Sequence, residues 1–255
     1  MIRESALLYT AIQAARAAAR VSLDRFGKPL LVTHKGFRDV VTEADVAAQD
    51  AAVAAIQARF PAAAILGEED LTPPDGAETV WVIDPIDGTA NYVRHFPVFC
   101  VSIAVVQRGA PIVGAVYDPL RGHLFAAERG RGAWLNGSPI RVSDVRDLPD
   151  AILALDWSQA SETRRRSIDL LARIAAECRT VRAIGSAALG MCYLAAGWVD
   201  LFFNLALKPW DGAAGQVLIE EAGGRITNPR GEAWDYTQPA ALASNGHLHF
   251  VFDSV

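Results

Sequence analysis

The sequence predicts an α+β chain that turns α/β in its second half. Two observations carry this. Up to about residue 145, two helical patterns are followed by a run of closely spaced β segments; beyond it, short β segments alternate with helical stretches. With no long flexible linker and no internal repeat, the halves 1–145 and 146–255 are expected to form one compact unit sharing an interface.

Leu8, Ile12, Ala15, Ala19 and Leu23 recur at helical spacing, so roughly the first twenty residues read as an amphipathic helix ended by Gly27. Thr42 followed by Asp45 is an N-terminal capping pattern that opens a second helix, with Val46, Val53, Ile56 and Phe60 on its apolar side. Ala64–Leu66 and Thr79–Ile83 read as strands. Phe99–Val106 and Ile112–Tyr117 read as an antiparallel hairpin across Gln107–Pro111. His123–Ala127 and Ala133–Leu135 continue this meander, and Asn136-Gly137 signals a tight turn. In the second half, Ala151–Leu155, Thr180–Ile184 and Val199–Phe203 are predicted strands. Ser161–Cys178, Ser186–Ala196 and a segment from Pro209 to Gly223-Gly224 are predicted helices.

The chain has 255 residues, 51% of them hydrophobic and 21% charged, which excludes a disordered protein. A net charge of −5 without a basic stripe argues against direct nucleic-acid contact, and Arg164–Arg166 reads as a solvated helix face. Cys100, Cys178 and Cys192 are odd in number and embedded in apolar sequence, as expected of free thiols in a reducing compartment. Met1–Ser5 carries early charges rather than an apolar signal core. Ala188–Leu207 is apolar enough to suggest a membrane span, but Asp200, Asn204, Gly190 and Gly197 favour a buried helix followed by a buried strand. The expected location is the cytoplasm.

The chemistry-bearing residues are carboxylates. Asp84-Pro85-Ile86-Asp87-Gly88-Thr89 follows the apolar run Thr79–Ile83, and a turn there lets Asp84 and Asp87 point into one cavity. Gly67-Glu68-Glu69-Asp70 follows another β run, and Asp211 falls in the first turn of the helix opened by Pro209. Carboxylates forced together repel unless a cation or a proton sits between them. Oxygen ligands without His or Cys favour a hard ion, Mg²⁺ before Zn²⁺. His34, His95, His123, His247 and His249 share no spacing and read as structural or solvated.

Gly67-Glu68-Glu69, Asp84-Pro85-Ile86-Asp87-Gly88-Thr89 and Trp210-Asp211-Gly212-Ala213-Ala214-Gly215 together resemble the inositol monophosphatase family of lithium-sensitive, magnesium-dependent phosphatases. Further matches span the chain: Asp39–Asp45, Asn91-Tyr92 with His95-Phe96-Pro97, Gly132–Gly137, Gly185–Ala188 and Glu221–Gly224. The resemblance implies a layered αβαβα sandwich of the sugar-phosphatase type and hydrolysis of a phosphate monoester by metal-activated water. It implies that Glu68, Asp84 and the Ile86 carbonyl hold one Mg²⁺, that Asp84, Asp87 and Asp211 hold a second, and that a weaker third ion sits near Glu68. Glu69 and Thr89 would orient the attacking water, with Asp45 supporting the Thr89 hydroxyl. The Gly88 and Thr89 N–H groups would bind phosphate at a helix N-terminus.

By the same resemblance Asp87, Gly88, Thr89, Gly185, Ala187, Asn204, Lys208 and Asp211 would contact substrate. Where animal-type members carry a sugar-binding Glu, seven residues before the metal-binding Asp, this chain has Asn204. Lys208 adds a cation suited to a further anionic group. The expected substrate is a small phosphorylated metabolite, inositol 1-phosphate first. Fructose 1,6-bisphosphate, histidinol phosphate and 3′-phosphoadenosine 5′-phosphate are the alternatives from related branches. Family analogy also implies a homodimer and lithium inhibition. The resemblance also implies an alternative from a different class of function, protein interaction within transcription complexes.

Overall fold

A computed structural model describes residues 5–36, 39–69, 71–73 and 75–253. The readings on Met1–Glu4 and on Asp70 lie outside the described residues. The described chain folds as five layers, in the order helices, sheet, helices, sheet, helix.

The outer helices are α1 (Ala6–Arg25) and α2 (Glu43–Gln57). Ser5 caps α1, its Oγ accepting from Leu8 N–H at 3.1 Å. Leu8, Ile12, Ala15 and Ala19 are buried as predicted, whereas Leu23 is exposed. Thr42 and Asp45 form the predicted capping box of α2, but its buried face is Ala44, Ala48, Ala52 and Ile56, and Val46 faces solvent. Small side chains let the two helices approach closely, so here closeness outweighs side-chain size. The strands β1 (Val32–Gly36) and β2 (Asp39–Thr42), which periodicity did not reveal, pair as a separate antiparallel ribbon.

Seven strands form the larger sheet: β3 (Ala64–Gly67), β4 (Thr79–Asp87), β5 (Cys100–Gln107), β6 (Ala110–Asp118), β7 (His123–Glu128), β8 (Gly132–Leu135) and β9 (Ser138–Ile140). They lie in sequence order, parallel between β3 and β4 and antiparallel thereafter. Alternation sorts their side chains. Trp81, Ile83, Val101, Ile103 and Val105 join the core beneath α1 and α2. Val82, Cys100, Ala104, Val106 and Val116 face the other way, toward the next helical layer. Burial on both faces explains why these strands read as unbroken apolar runs. Arg108-Gly109 and Asn136-Gly137 turn their hairpins with positive φ at both positions.

That middle layer is α5 (Ala187–Ala195) and α6 (Pro209–Glu221), packed in one core with the larger sheet and with Ala154, Phe202 and Ala243 of the smaller one. The stretch Ala188–Leu207 thus divides into helix and strand, and no helix among the described residues is long and apolar enough to cross a membrane. Gly114 allows the close contact: a Cβ there would lie 2.5 Å from the Ala214 carbonyl oxygen. The smaller sheet has the order β11 (Thr180–Ala183), β10 (Ile152–Leu155), β12 (Leu201–Asn204), β14 (Ala241–Ser244), β13 (Arg225–Thr227). Its first three strands are parallel. Leu153, Leu155, Leu201 and Phe203 cover its far face against Leu170 and Ile174 of α4 (Ser161–Ala175). A five-residue helix, α3 (Thr89–Val93), follows β4, and Asn91 on it donates to the carbonyls of Val98 and Gly185.

Candidate active site

The acidic motif is not a turn after a strand. Strand β4 continues through Pro85 to Asp87, and the partner register slips by one residue between Asp84 (opposite Ser102) and Asp87 (opposite Cys100). Proline lacks the N–H that a regular ladder needs, and a bulge is where a strand tolerates that loss. The consequence for the site is that both aspartates are buried at the sheet, not displayed on a loop.

Asp84 is 2% exposed, and its Oδ1 accepts from the Ile86 N–H at 3.0 Å. Burial pushes its pKa well above the ordinary carboxylate value, and Glu68, Asp87, Asp211 and Asp45 raise it further by repulsion. Four carboxylates, from the residue after β3, the β4 bulge, α2 and α6, thus act on one buried aspartate.

Asp87 is held from several sides. Its Oδ2 accepts from the Ser186 hydroxyl, from Ala188 N–H at 2.7 Å and from the Cys100 thiol at 3.7 Å. Its Oδ1 accepts from Ala187 N–H at 3.2 Å. Burial raises its pKa and these donors oppose the rise. Burial and Asp87 together keep the Cys100 thiol protonated, so it is a donor and no nucleophile.

Gly88 has φ 103°, and a Cβ would fall 2.9 Å from the Gly185 carbonyl oxygen, so only glycine fits the chain reversal into α3. With five residues, α3 carries little of a long helix's dipole, so the expected phosphate site would rest on its N–H groups more than on a helix dipole. The Thr89 hydroxyl lies 3.2 Å from Asp45 Oδ1 and 3.0 Å from the Ile86 carbonyl oxygen and has one proton to share between them. Asp45 Oδ2 accepts from the Thr42 N–H and hydroxyl at 2.8 and 2.6 Å, which fixes the other half of that carboxylate. Burial, more than these bonds, sets Asp45's direction, which is upward.

Glu68 and Glu69 follow β3. Gln49 on α2 clamps the Glu69 backbone, accepting from its N–H at 3.1 Å and donating to its carbonyl at 2.8 Å. Gly67 leaves room for this, since a Cβ would meet Gln49 Oε1 at 2.3 Å. Asp211 caps α6 by accepting from the Lys208 N–H at 2.7 Å, while the Lys208 side chain is exposed. Ala187 is buried with its N–H committed to Asp87, and Gly185 is exposed on the rim. Asn204 ends β12, its Oδ1 accepting from Ala206 N–H at 2.8 Å.

Three contributors lay outside the sequence reading of the site. Ser186 sits inside the Gly185–Ala188 match without a role assigned to it there, and Gln49 belongs to no motif. Asp156 directly follows β10, so the strand-end reasoning applied to Asp84 applies to it too. Its Oδ1 accepts from the Gly185 N–H, and its buried Oδ2 has no hydrogen-bond partner among the described residues. Burial, then the charge of Asp87, pushes Asp156 up to about 8.

The donor set is oxygen throughout, with Asp84 and Asp87 buried and Asp84 repelled by its neighbours, which fits hard divalent cations. Among the described residues no three His, Cys, Asp or Glu side chains are gathered as a formed metal centre. Asp87 and Asp211 each accept hydrogen bonds, from Ser186 and from the Lys208 N–H.

Residues 3–252 match the model of the inositol monophosphatase family. The chain is 38% identical to inositol monophosphatase 3 of Solanum lycopersicum, over 96% of this chain and 94% of that protein. It is 42% identical to the Nus factor SuhB of Vibrio cholerae, over 94% and 91%. The crystal structure of the extragenic suppressor protein suhB from Bartonella henselae superposes with a TM-score of 0.93 at 32% identity, covering 98% of this chain and 97% of that one.

Proposed function

The chain belongs to the inositol monophosphatase family, and from that premise we propose that it hydrolyses a small phosphate monoester with Mg²⁺, inositol 1-phosphate being the first candidate. The observation that carries the reading is Asp84, a buried carboxylate whose ionisation is opposed by Glu68, Asp87, Asp211 and Asp45 together. Such a group is tolerable in a fold when cations complete it.

In this reading Glu68, Asp84 and the Ile86 carbonyl hold one ion, Asp84, Asp87 and Asp211 a second, and a third lies near Glu68. Bound Mg²⁺ supplies charge neutralisation and Lewis acidity toward both the attacking water and the departing alkoxide. The chain's own residues position the rest. The Thr89 hydroxyl, held by Asp45, and Glu69, its backbone held by Gln49, orient the water. The N–H groups of Gly88 and Thr89 meet the phosphate oxygens. Asp87 stays in place because Ser186, Ala187 and Ala188 donate to it, and fixed geometry is most of what phosphoryl transfer asks of a protein. Residues 1–145 and 146–255 act as two halves of one catalytic unit. A homodimer, lithium sensitivity and a cytoplasmic location come with this reading by family analogy.

The test is phosphate release with Mg²⁺ from inositol 1-phosphate, fructose 1,6-bisphosphate, histidinol phosphate and 3′-phosphoadenosine 5′-phosphate, side by side. Highest kcat/KM for inositol 1-phosphate supports the reading; silence on all four refutes it. The relative named Nus factor SuhB favours a second reading, a protein-interaction role. A partner that is still captured by a metal-dead Asp84→Asn variant supports that role, and loss of every specific partner counts against it.

A further inference from the structure

We infer that Asp156 is a substrate-positioning residue, a buried acceptor for a ring hydroxyl that gives the site its preference for polyhydroxylated phosphate esters. The inference rests on the phosphatase reading above and adds to it the group that recognises the alcohol.

Position comes first. Leu155 of β10 lies in register with Phe203 of β12, so the next residue along each strand, Asp156 and Asn204, stand side by side. Both are at the C-terminal edge of parallel strands, where open α/β sheets place their ligands. Asp156 and Asp87 also hold one backbone segment between them. Asp156 accepts from the N–H of Gly185, and Asp87 from those of Ala187 and Ala188. Through that four-residue segment Asp156 stands next to Asp87 of the carboxylate cluster.

The hydrogen-bond inventory then assigns a role. Asn204 uses its Oδ1 on the Ala206 N–H, a bond that only the oxygen of the amide can accept. What Asn204 keeps for a ligand is therefore its Nδ2 donor. The acceptor that a sugar hydroxyl also needs is absent from position 204 and present next door. Asp156 is 8% exposed, with Oδ1 engaged and Oδ2 buried without a partner. An unpartnered buried carboxylate oxygen is costly. A hydroxyl that accepts from Asn204 Nδ2 and donates to Asp156 Oδ2 satisfies both groups at once.

A purely structural role for Asp156, holding the segment that holds Asp87, predicts equal damage to every phosphate ester. The experiment separates the two. Wild type, Asp156→Asn and Asp156→Ala are assayed with Mg²⁺ at about pH 9, where Asp156 is ionised and can accept, on inositol 1-phosphate and on p-nitrophenyl phosphate, whose alcohol has no ring hydroxyls. Asp156→Asn retains an acceptor for the Gly185 N–H and turns the other oxygen into a donor. The expected result is a loss in kcat/KM on inositol 1-phosphate about tenfold greater than on p-nitrophenyl phosphate, with most of the difference in KM. Equal losses on both esters, or no loss on inositol 1-phosphate, overturn the proposal. Should neither variant fold, wild type alone decides. It should favour inositol 1-phosphate over cyclohexyl phosphate by about tenfold in kcat/KM, and parity between them overturns the proposal. A wild type inactive on all these esters removes the premise and the proposal with it. That outcome is distinct from an enzyme active on them all and indifferent to Asp156.

Discussion

Replacing Ser186 by alanine tests how the fold holds Asp87. The hydroxyl does two jobs: it donates to Asp87 Oδ2 and accepts from the Leu189 N–H at 3.3 Å as the N-cap of α5. A hydrogen bond to a charged group contributes about 1.5–3 kcal/mol, and the lower part of that range applies because Ala187, Ala188 and Cys100 still donate to Asp87. Loss of the cap adds about 1 kcal/mol. The expected loss is about 3 kcal/mol, a fall of roughly 6–12 °C in Tm for a chain of this size. Removing a donor raises the folded pKa of Asp87 still further. The deficit is therefore largest above that pKa, where Asp87 is ionised in both proteins, and shrinks toward the cap contribution as pH falls through it. Urea unfolding of the metal-free protein at several pH values measures this, with Ser186→Thr as the hydroxyl-retaining control. A loss under about 1 kcal/mol, or an equal loss in the threonine variant, refutes the reasoning.

Two further predictions concern stability. Mg²⁺ at about one hundred times its Kd should raise the unfolding free energy of wild type by about 2.7 kcal/mol; Asp84→Asn should lose most of this, as followed by thermal unfolding against Mg²⁺ concentration. His249 is buried between Thr227 Oγ1 and Ser244 Oγ, each at 2.9 Å, and burial, then Arg225, lowers its pKa to about 4. The unfolded state then binds the proton first, so stability falls as pH drops below 6.5. The loss attributable to His249 between about pH 7.5 and 5 is about 2 kcal/mol, and a His249→Gln variant should lack it.

Much of the architecture was legible because local chemistry and tertiary structure agree. Thr42 and Asp45 cap in the folded chain as their spacing indicates, and Asn136-Gly137 turns the hairpin its dipeptide announces. Alternating burial on β4 and β5 places both sheet faces in cores, so those runs are apolar throughout. What was not legible depended on neighbours. Pro85 reads as a strand end, and only the register with β5 reveals a bulge. Val46 is the larger apolar residue, yet the alanine face of α2 is buried because helix approach, not hydrophobicity, selects it. The strands β13 and β14 are three and four residues long, too short for a periodicity to show, and pair across thirteen intervening residues. In the site, Asp84 and Asp87 share one motif, and Asp211, far off in the sequence, was joined to them only through the family resemblance. Ser186, Gln49 and Asp156 act across tens of residues of sequence, where spacing carries no information.

The central claim is that the buried Asp84 and the carboxylates that repel it hold cations used to hydrolyse a phosphate monoester. The most direct test is phosphate release from inositol 1-phosphate with and without Mg²⁺, for wild type and the near-isosteric Asp84→Asn variant. Even groups that only support a metal ligand typically contribute 10–100-fold, so loss of a ligand should lower kcat/KM by at least about a hundredfold, and Mg²⁺ removal should silence wild type. Metal-independent turnover, or an Asp84→Asn variant as active as wild type, would contradict the account.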